Sequence, residues 1–259
     1  MKIKKTVSAA FRSLRGSLAA VSALAFATAS AQAGSITVVP NGLAPGAQYR
    51  LAFITNSSYA AVSSTISTYN SDVSGEATAV TALNSLGTTW TAIASTSAVN
   101  AIDNIGQDAG VPIYDLEGHQ IAVDATTGTG GLFSGTLMHA LSFTVTGADS
   151  VLHSPGHGDS GANVWTGSTN AGVAGTGSGS PLGSSNGTLE AIGDSSATNG
   201  AWIHTGGTNN FFSGSATTNR LYGISGVLTV ADTSAPEPGS AGLIVAGLTA
   251  LVLATRRRD

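Results

Sequence analysis

The alternation of apolar and polar positions predicts a strand near the start of the chain and a helix after it. Residues 49–55 alternate with the period of two that a half-buried strand requires. Further on, apolar residues recur in steps of three and four, which places them on one helical face; they are Val62, Ile66, Tyr69, Val73, Ala77, Val80 and Leu83. This pattern predicts one helix or a broken pair of helices over residues 59–86, with Gly75 as the expected interruption.

Short apolar or alternating segments follow this helix, and Gly- and Ser-rich stretches separate them. They predict a short helix over 97–102, a loop over 167–199, and strands over 89–94, 112–116, 120–123, 141–145 and 221–230. Gly118 marks the turn of a hairpin between the second and third of these strands. The predicted fold class is α+β, a mixed domain with one long helix, short antiparallel strands and long loops; an all-β sandwich is the alternative.

The first 33 residues have the three parts of a secretory signal. Residues 1–16 carry five basic side chains and no acid, and residues 17–29 are apolar and small. Ala31 and Ala33 supply the small residues that a signal peptidase reads, so cleavage is expected after Ala33. The apolar stretch is shorter than the ~20 residues of a membrane span.

The last part of the chain combines a proline motif, an apolar run and a basic end. Pro236, Glu237 and Pro238 precede an uncharged run over 239–255, and Arg256, Arg257 and Arg258 close it. A run of this length is near the lower limit for crossing a bilayer, and the arginine cluster would stay on the cytoplasmic side. The sequence therefore predicts a membrane helix at this end.

These three parts, in this order, resemble the PEP-CTERM sorting signal, which the membrane enzyme exosortase recognises in Gram-negative bacteria that make exopolysaccharide. The resemblance covers residues 236–259. It implies transient anchoring in the inner membrane, processing near residues 236–238, and delivery to the outer surface or the extracellular matrix. The expected organisation is a signal peptide over 1–33, an exported ectodomain over 34–235 and a sorting segment over 236–259.

The ectodomain is strongly acidic. It holds two basic residues, Arg50 and Arg220, against twelve acidic ones, so its formal charge is −10. Such a domain repels nucleic acid and other polyanions, whereas divalent cations and neutral sugars suit it better. The chain has no cysteine, so it forms no disulfides even if exported.

A series of short segments in the ectodomain resembles the endostatin-like branch of the C-type lectin-like fold. They are residues 49–53, 86–92, 111–118, 164–167 and 221–224. The resemblance implies the same α+β fold. The calcium- and sugar-binding signatures of true C-type lectins are missing, so it does not imply calcium-dependent sugar binding.

Three groups of residues are candidates for chemistry. His153, His157 and Asp159 have the ligand types of a zinc or other transition-metal site. A solvated turn is the alternative, because the intervening Pro-Gly prevents the helix that would place both histidines on one face. Asp115 and Glu117 flank the predicted hairpin and could serve a cation, or simply be solvated. Trp90, Trp165 and Trp202 could stack on sugars, although alternating apolar neighbours favour the core for Trp90 and Trp202.

No catalytic residue is predicted, and no cofactor beyond a divalent cation. The leading hypothesis is a non-catalytic surface or matrix protein that exosortase sorts and that associates with exopolysaccharide. One alternative is an adhesin module that binds carbohydrate or a surface. The other is an exported metal-dependent hydrolase centred on His153, His157 and Asp159, which would need a general base and an open coordination position.

Overall fold

The structure, a computed structural model, describes residues 35–149, 162–177, 179–184, 189–205 and 217–232. The strands in this part of the chain are β1 (Gln48–Ile54), β2 (Tyr59–Ala60), β3 (Trp90–Ala92), β4 (Ile113–Asp115), β5 (Gln120–Ala122), β6 (Asn163–Trp165), β7 (Ile192–Asp194), β8 (Thr218–Ser225) and β9 (Leu228–Thr229). The helices are α1 (Ile66–Ala79), α2 (Thr81–Asn84) and α3 (Ala101–Ile105), with a 3₁₀ turn at Gly200–Trp202.

All nine strands belong to one curled mixed sheet with the path β5-β4-β1-β8-β6-β7. β1 lies at its centre, parallel to β4 and antiparallel to β8 and β9. β8 also pairs with β2, β3 and β6. Every residue of β1 after Gln48 is buried. The strand is therefore buried on both faces and not half-buried as the alternation predicted, and its residues 51–54 are all apolar.

The two faces of the sheet are covered by separate cores. On one face, α1 packs through Tyr69, Val73 and Ala77 into a cluster that includes Phe53 and Trp90. The other face holds a cluster around Trp202, which contacts the Tyr222 ring at a centroid distance of 5.5 Å. The prediction that Trp90 and Trp202 are core residues is confirmed, and Trp165 is buried as well.

The predicted fold class is wrong. A domain built around one long helix and antiparallel strands was expected, but the described chain is sheet-rich, and β1–β4 and β6–β8 are parallel pairs. A two-sheet sandwich does not describe it either, because the strands form one connected sheet. Local periodicity identifies a strand, but partners distant in the chain decide its direction and neighbours.

The predicted helical region divides differently from expectation. Residues 59–60 form β2 against β8, so the first helix begins only at Ile66. The break lies at Val80, which takes an extended conformation between α1 and α2, while Gly75 stays inside α1. A single glycine costs a helix about 1 kcal/mol, which the packing of α1 on the sheet offsets.

Three further local predictions change. The predicted strand over 141–145 contributes only isolated bridges, such as that between Ile54 and Thr144. The stretch over 167–199 was expected to be a loop, but its described part contains β7 and the fully buried Leu182. The predicted short helix lies a few residues later, as α3.

Residues 1–34 and 233–259 lie outside the described part of the chain. The predicted signal peptide with Ala31 and Ala33, and the sorting segment over 236–259, therefore remain predictions. Across the ranges described here, no helix has the length and apolarity to cross a membrane.

Candidate metal centre

The turn between β4 and β5 is organised around the carboxylate of Asp115. This side chain is completely buried at the end of β4, beside Ala52 of β1. Its Oδ1 accepts hydrogen bonds from the backbone N–H groups of Glu117 and His119, both at 2.9 Å. Gly118 completes the turn with a φ of +94°, a conformation that suits glycine. The predicted hairpin and its glycine turn are confirmed.

Two histidines from different segments meet at this turn. His119 follows Gly118 directly, and His139 comes from a segment that runs beside β5. That segment is positioned by Met138, whose N–H donates to the Ile121 carbonyl at 2.9 Å. The imidazole rings of His119 and His139 stack with centroids 4.1 Å apart and planes inclined by 18°. The glycine turn and the backbone hydrogen bond of Met138 therefore bring the two imidazole rings next to each other.

Nδ1 of each imidazole lies near the same carboxylate oxygen, and Nδ1 of His139 also lies 3.2 Å from the carbonyl oxygen of its neighbour Ala140. Oδ2 of Asp115 lies 3.1 Å from Nδ1 of His119 and 3.6 Å from Nδ1 of His139. The Oε2 atom of Glu117 lies 3.4 Å from Nδ1 of His119. The histidine side chains are 45% and 44% exposed, whereas Asp115 is inaccessible. The arrangement is thus a fixed, buried carboxyl group with two imidazoles at the surface above it.

The chemistry of this cluster allows two descriptions. As a hydrogen-bonded turn, an imidazole N–H donates to Oδ2 of Asp115. As a metal centre, the two nitrogens and the oxygen act as ligands, and one candidate atom from each of the three residues lies within 4.8 Å of the others. Two imidazoles and a carboxylate are a frequent ligand set for zinc.

The sequence indicated only part of this site. Asp115 and Glu117 were candidates for a cation, but His119 and His139 were not included. The available signal was the spacing Asp115-x-Glu117-x-His119 across a glycine turn, which returns all three side chains to one end of a hairpin. His153, His157 and Asp159 lie outside the described residues, so the metal site predicted there stays a prediction.

A second candidate surface is a shallow groove between α1 and β3. Its lining is uncharged and rich in hydroxyl and amide groups; it consists of Ser67, Asn70, Ser71, Ser74, Gly75, Thr78, Thr88, Thr89, Trp90 and Thr91. Trp90 is only 3% exposed, so its ring offers no stacking platform here. Hydroxyl and amide groups can hydrogen-bond a neutral polyol.

A neighbouring groove contains two acids of α1, and one of them holds a loop in place. Glu76 accepts hydrogen bonds from the N–H groups of Asn56 and Ser57, at 2.6 and 2.7 Å, and from the Tyr59 hydroxyl at 2.9 Å. Burial, and secondarily the negative charge of Glu76, raises the pKa of Asp72. With these bonds, Glu76 acts as a structural anchor.

Comparison with known proteins gives no family: no protein-family model and no curated protein sequence matches the chain.

Proposed function

We propose that the chain is an exported, non-catalytic surface or matrix protein that an exosortase-type enzyme sorts and that associates with exopolysaccharide. The order of parts at the carboxyl end carries the proposal. A tail anchor alone would account for the apolar run and the arginines, but not for Pro236, Glu237 and Pro238 directly before them. The signal-like residues 1–33 supply the export step.

The charge distribution supports the same proposal. Eight of the ten basic residues lie in the two terminal segments, so removal of both would leave the acidic ectodomain. An acidic domain without lysine stays soluble among anionic polymers, and its affinity for neutral ones depends on hydrogen bonds.

The proposal is tested by processing in the host. Intact-mass analysis of each cell fraction should find a chain that begins at Gly34 and lacks the segment after the proline motif. Replacing Pro236, Glu237 and Pro238 by three alanines should leave the chain unprocessed in the inner membrane, as should loss of the exosortase. Replacing Asp232, Thr233 and Ser234 by alanines is the matched control and should be processed normally. Cytoplasmic chain that retains Met1, or normal processing of the proline-motif variant, would refute the proposal.

The groove between α1 and β3 favours a second candidate, a module that binds neutral polysaccharide. Its uncharged, hydroxyl-rich lining is the specific observation. Thr78 and Thr81 are both exposed on the α1–α2 segment, but only Thr78 lines the groove. Thr78→Arg should therefore abolish co-sedimentation with neutral exopolysaccharide, whereas Thr81→Arg should not. Equal binding by the two variants would exclude the groove as the binding surface.

A further inference from the structure

The proposed function assigns no role to the cluster of Asp115, His119 and His139. We propose that these three residues bind one divalent transition-metal ion of the zinc type through Oδ2 of Asp115 and the Nδ1 atoms of both histidines. The ion would connect the β4–β5 hairpin to the segment that carries His139. This inference does not depend on the proposed function.

The distances fit such an ion. Bonds of about 2.0–2.1 Å at tetrahedral angles place neighbouring ligand atoms roughly 3.3 Å apart. The distances from Oδ2 of Asp115 to the two Nδ1 atoms are 3.1 and 3.6 Å, on either side of that value. To bind one ion, the two stacked rings would have to turn so that both Nδ1 lone pairs point at it, and the nearly half-exposed positions of the side chains leave room for that turn.

The hydrogen bonds that fix the Asp115 carboxylate use Oδ1 and leave Oδ2, the proposed ligand atom, available. Two backbone N–H groups bind Oδ1 of Asp115 and fix the plane of the carboxylate. Oδ2 is left facing the imidazoles. Such outer hydrogen bonds orient metal ligands and commonly change metal affinity by 10- to 100-fold when they are lost.

The electrostatics also favour a cation. Asp115 is a fully buried acid, and within the described ranges its ion-pair partners are the two histidines. A divalent ion bound between these groups would place positive charge directly beside this buried carboxyl group. Glu117, whose Oε2 lies 3.4 Å from Nδ1 of His119, or a water molecule would complete a four-coordinate site.

The experiment is a zinc titration of the purified full-length chain in detergent after treatment with EDTA. Native mass spectrometry and calorimetry should find one ion, with His119→Ala and His139→Ala each weakening the affinity at least tenfold. Zinc at 100 times its dissociation constant should raise the melting temperature by about 5–10 °C. The matched controls are His204→Ala and the double variant His153→Ala with His157→Ala, which should keep the affinity.

The controls separate this site from the one predicted at His153 and His157. Loss of the ion in that double variant, with retention in His119→Ala and His139→Ala, would overturn the proposal. Absence of zinc binding up to 100-micromolar metal would overturn it as well, because that concentration is well above the dissociation constants of typical structural zinc sites. If a variant fails to fold, labelling of the unaltered chain with diethylpyrocarbonate decides the question. Zinc should protect His119 and His139 from modification, and equal labelling with and without zinc would refute the site.

Discussion

At the scale of single residues, Arg50 is a buried charge that several hydrogen bonds hold in place. It is 2% exposed on the central strand β1, and all of its side-chain nitrogens donate hydrogen bonds. Nε reaches the Ser225 carbonyl at 2.7 Å, and Nη2 the Ile105 carbonyl at 2.8 Å. Nη1 contacts the carboxylate of Asp108 at 3.1 Å. Burial lowers the pKa of Arg50, and the charge of Asp108 partly opposes that shift.

Arg50→Met should therefore lower the free energy of unfolding by about 3–5 kcal/mol, because buried carbonyls lose their donor. Asp108→Asn is the comparison. Its side chain is 40% exposed, and half-exposed ion pairs contribute less than about 1 kcal/mol. Urea unfolding measures both. Similar losses for the two variants would mean that the ion pair, and not the bonds to backbone carbonyls, dominates.

The candidate site shows what sequence can and cannot predict about single residues. Asp115 and Glu117 attracted attention because they flank a predicted glycine turn, and turns follow from local sequence. His139 could not be added in the same way. It reaches His119 only because the Met138 N–H pairs with Ile121, a contact that depends on the tertiary path of the segment.

At the scale of elements, most strand positions followed from the sequence, but their partners did not. β1, β3, β4, β5 and β8 all overlap predicted strands. The parallel pairing of β1 with β4 was missed, because the connection between them contains three helices and the strands β2 and β3, which pair with β8 instead. Period-two alternation is a local property, whereas strand order depends on which distant apolar faces fit together.

Two glycines provide opposite tests of element packing. Gly223 lies on β8 where it faces α1, and a Cβ there would come within 2.7 Å of Phe53 and Val73 atoms. Gly223→Ala should cost about 1–3 kcal/mol through overpacking. Gly75 lies in α1 with open space around it, so Gly75→Ala should stabilise the protein by about 0.5–1 kcal/mol. Denaturant unfolding measures the change in the free energy of unfolding for both variants. Destabilisation by Gly75→Ala would contradict the helical placement of that residue.

The two acids of α1 are expected to respond differently to neutralisation. Glu76→Ala removes the acceptor for two backbone N–H groups and the Tyr59 hydroxyl, and should cost about 1–2 kcal/mol. Asp72→Asn removes a carboxylate whose pKa burial and Glu76 raise, and should change stability by less than about 0.5 kcal/mol, in the stabilising direction. Thermal unfolding at neutral pH compares them. A larger loss for Asp72→Asn would show that Glu76 is not the anchor.

At the scale of the whole molecule, one sheet separates two cores, and tyrosines are buried in both. Tyr49 and Tyr69 lie on the α1 side, and Tyr222 lies on the other. Burial raises the pKa of each of them, for Tyr69 to about 12. At the edge of the first core, burial and the bond to Glu76 raise the pKa of Tyr59 to about 12. The folded state therefore binds the phenol protons more tightly than the unfolded chain does.

This difference predicts a loss of stability in alkali. A phenol whose folded pKa is raised contributes stability that is present below its unfolded pKa of about 10 and is lost as the pH rises further. The free energy of unfolding should therefore fall steeply between about pH 10 and 12. Tyr59→Phe should make the decline shallower, because one proton-linked group is removed from a site near the surface. A flat profile to pH 12 would mean that the phenols are accessible and that the packing of the sheet faces is looser than described. The same profile recorded with Asp72→Asn separates the effect of the phenols from the general negative charge of the domain, because that variant removes a charge near Tyr59 and Tyr69 but no phenol.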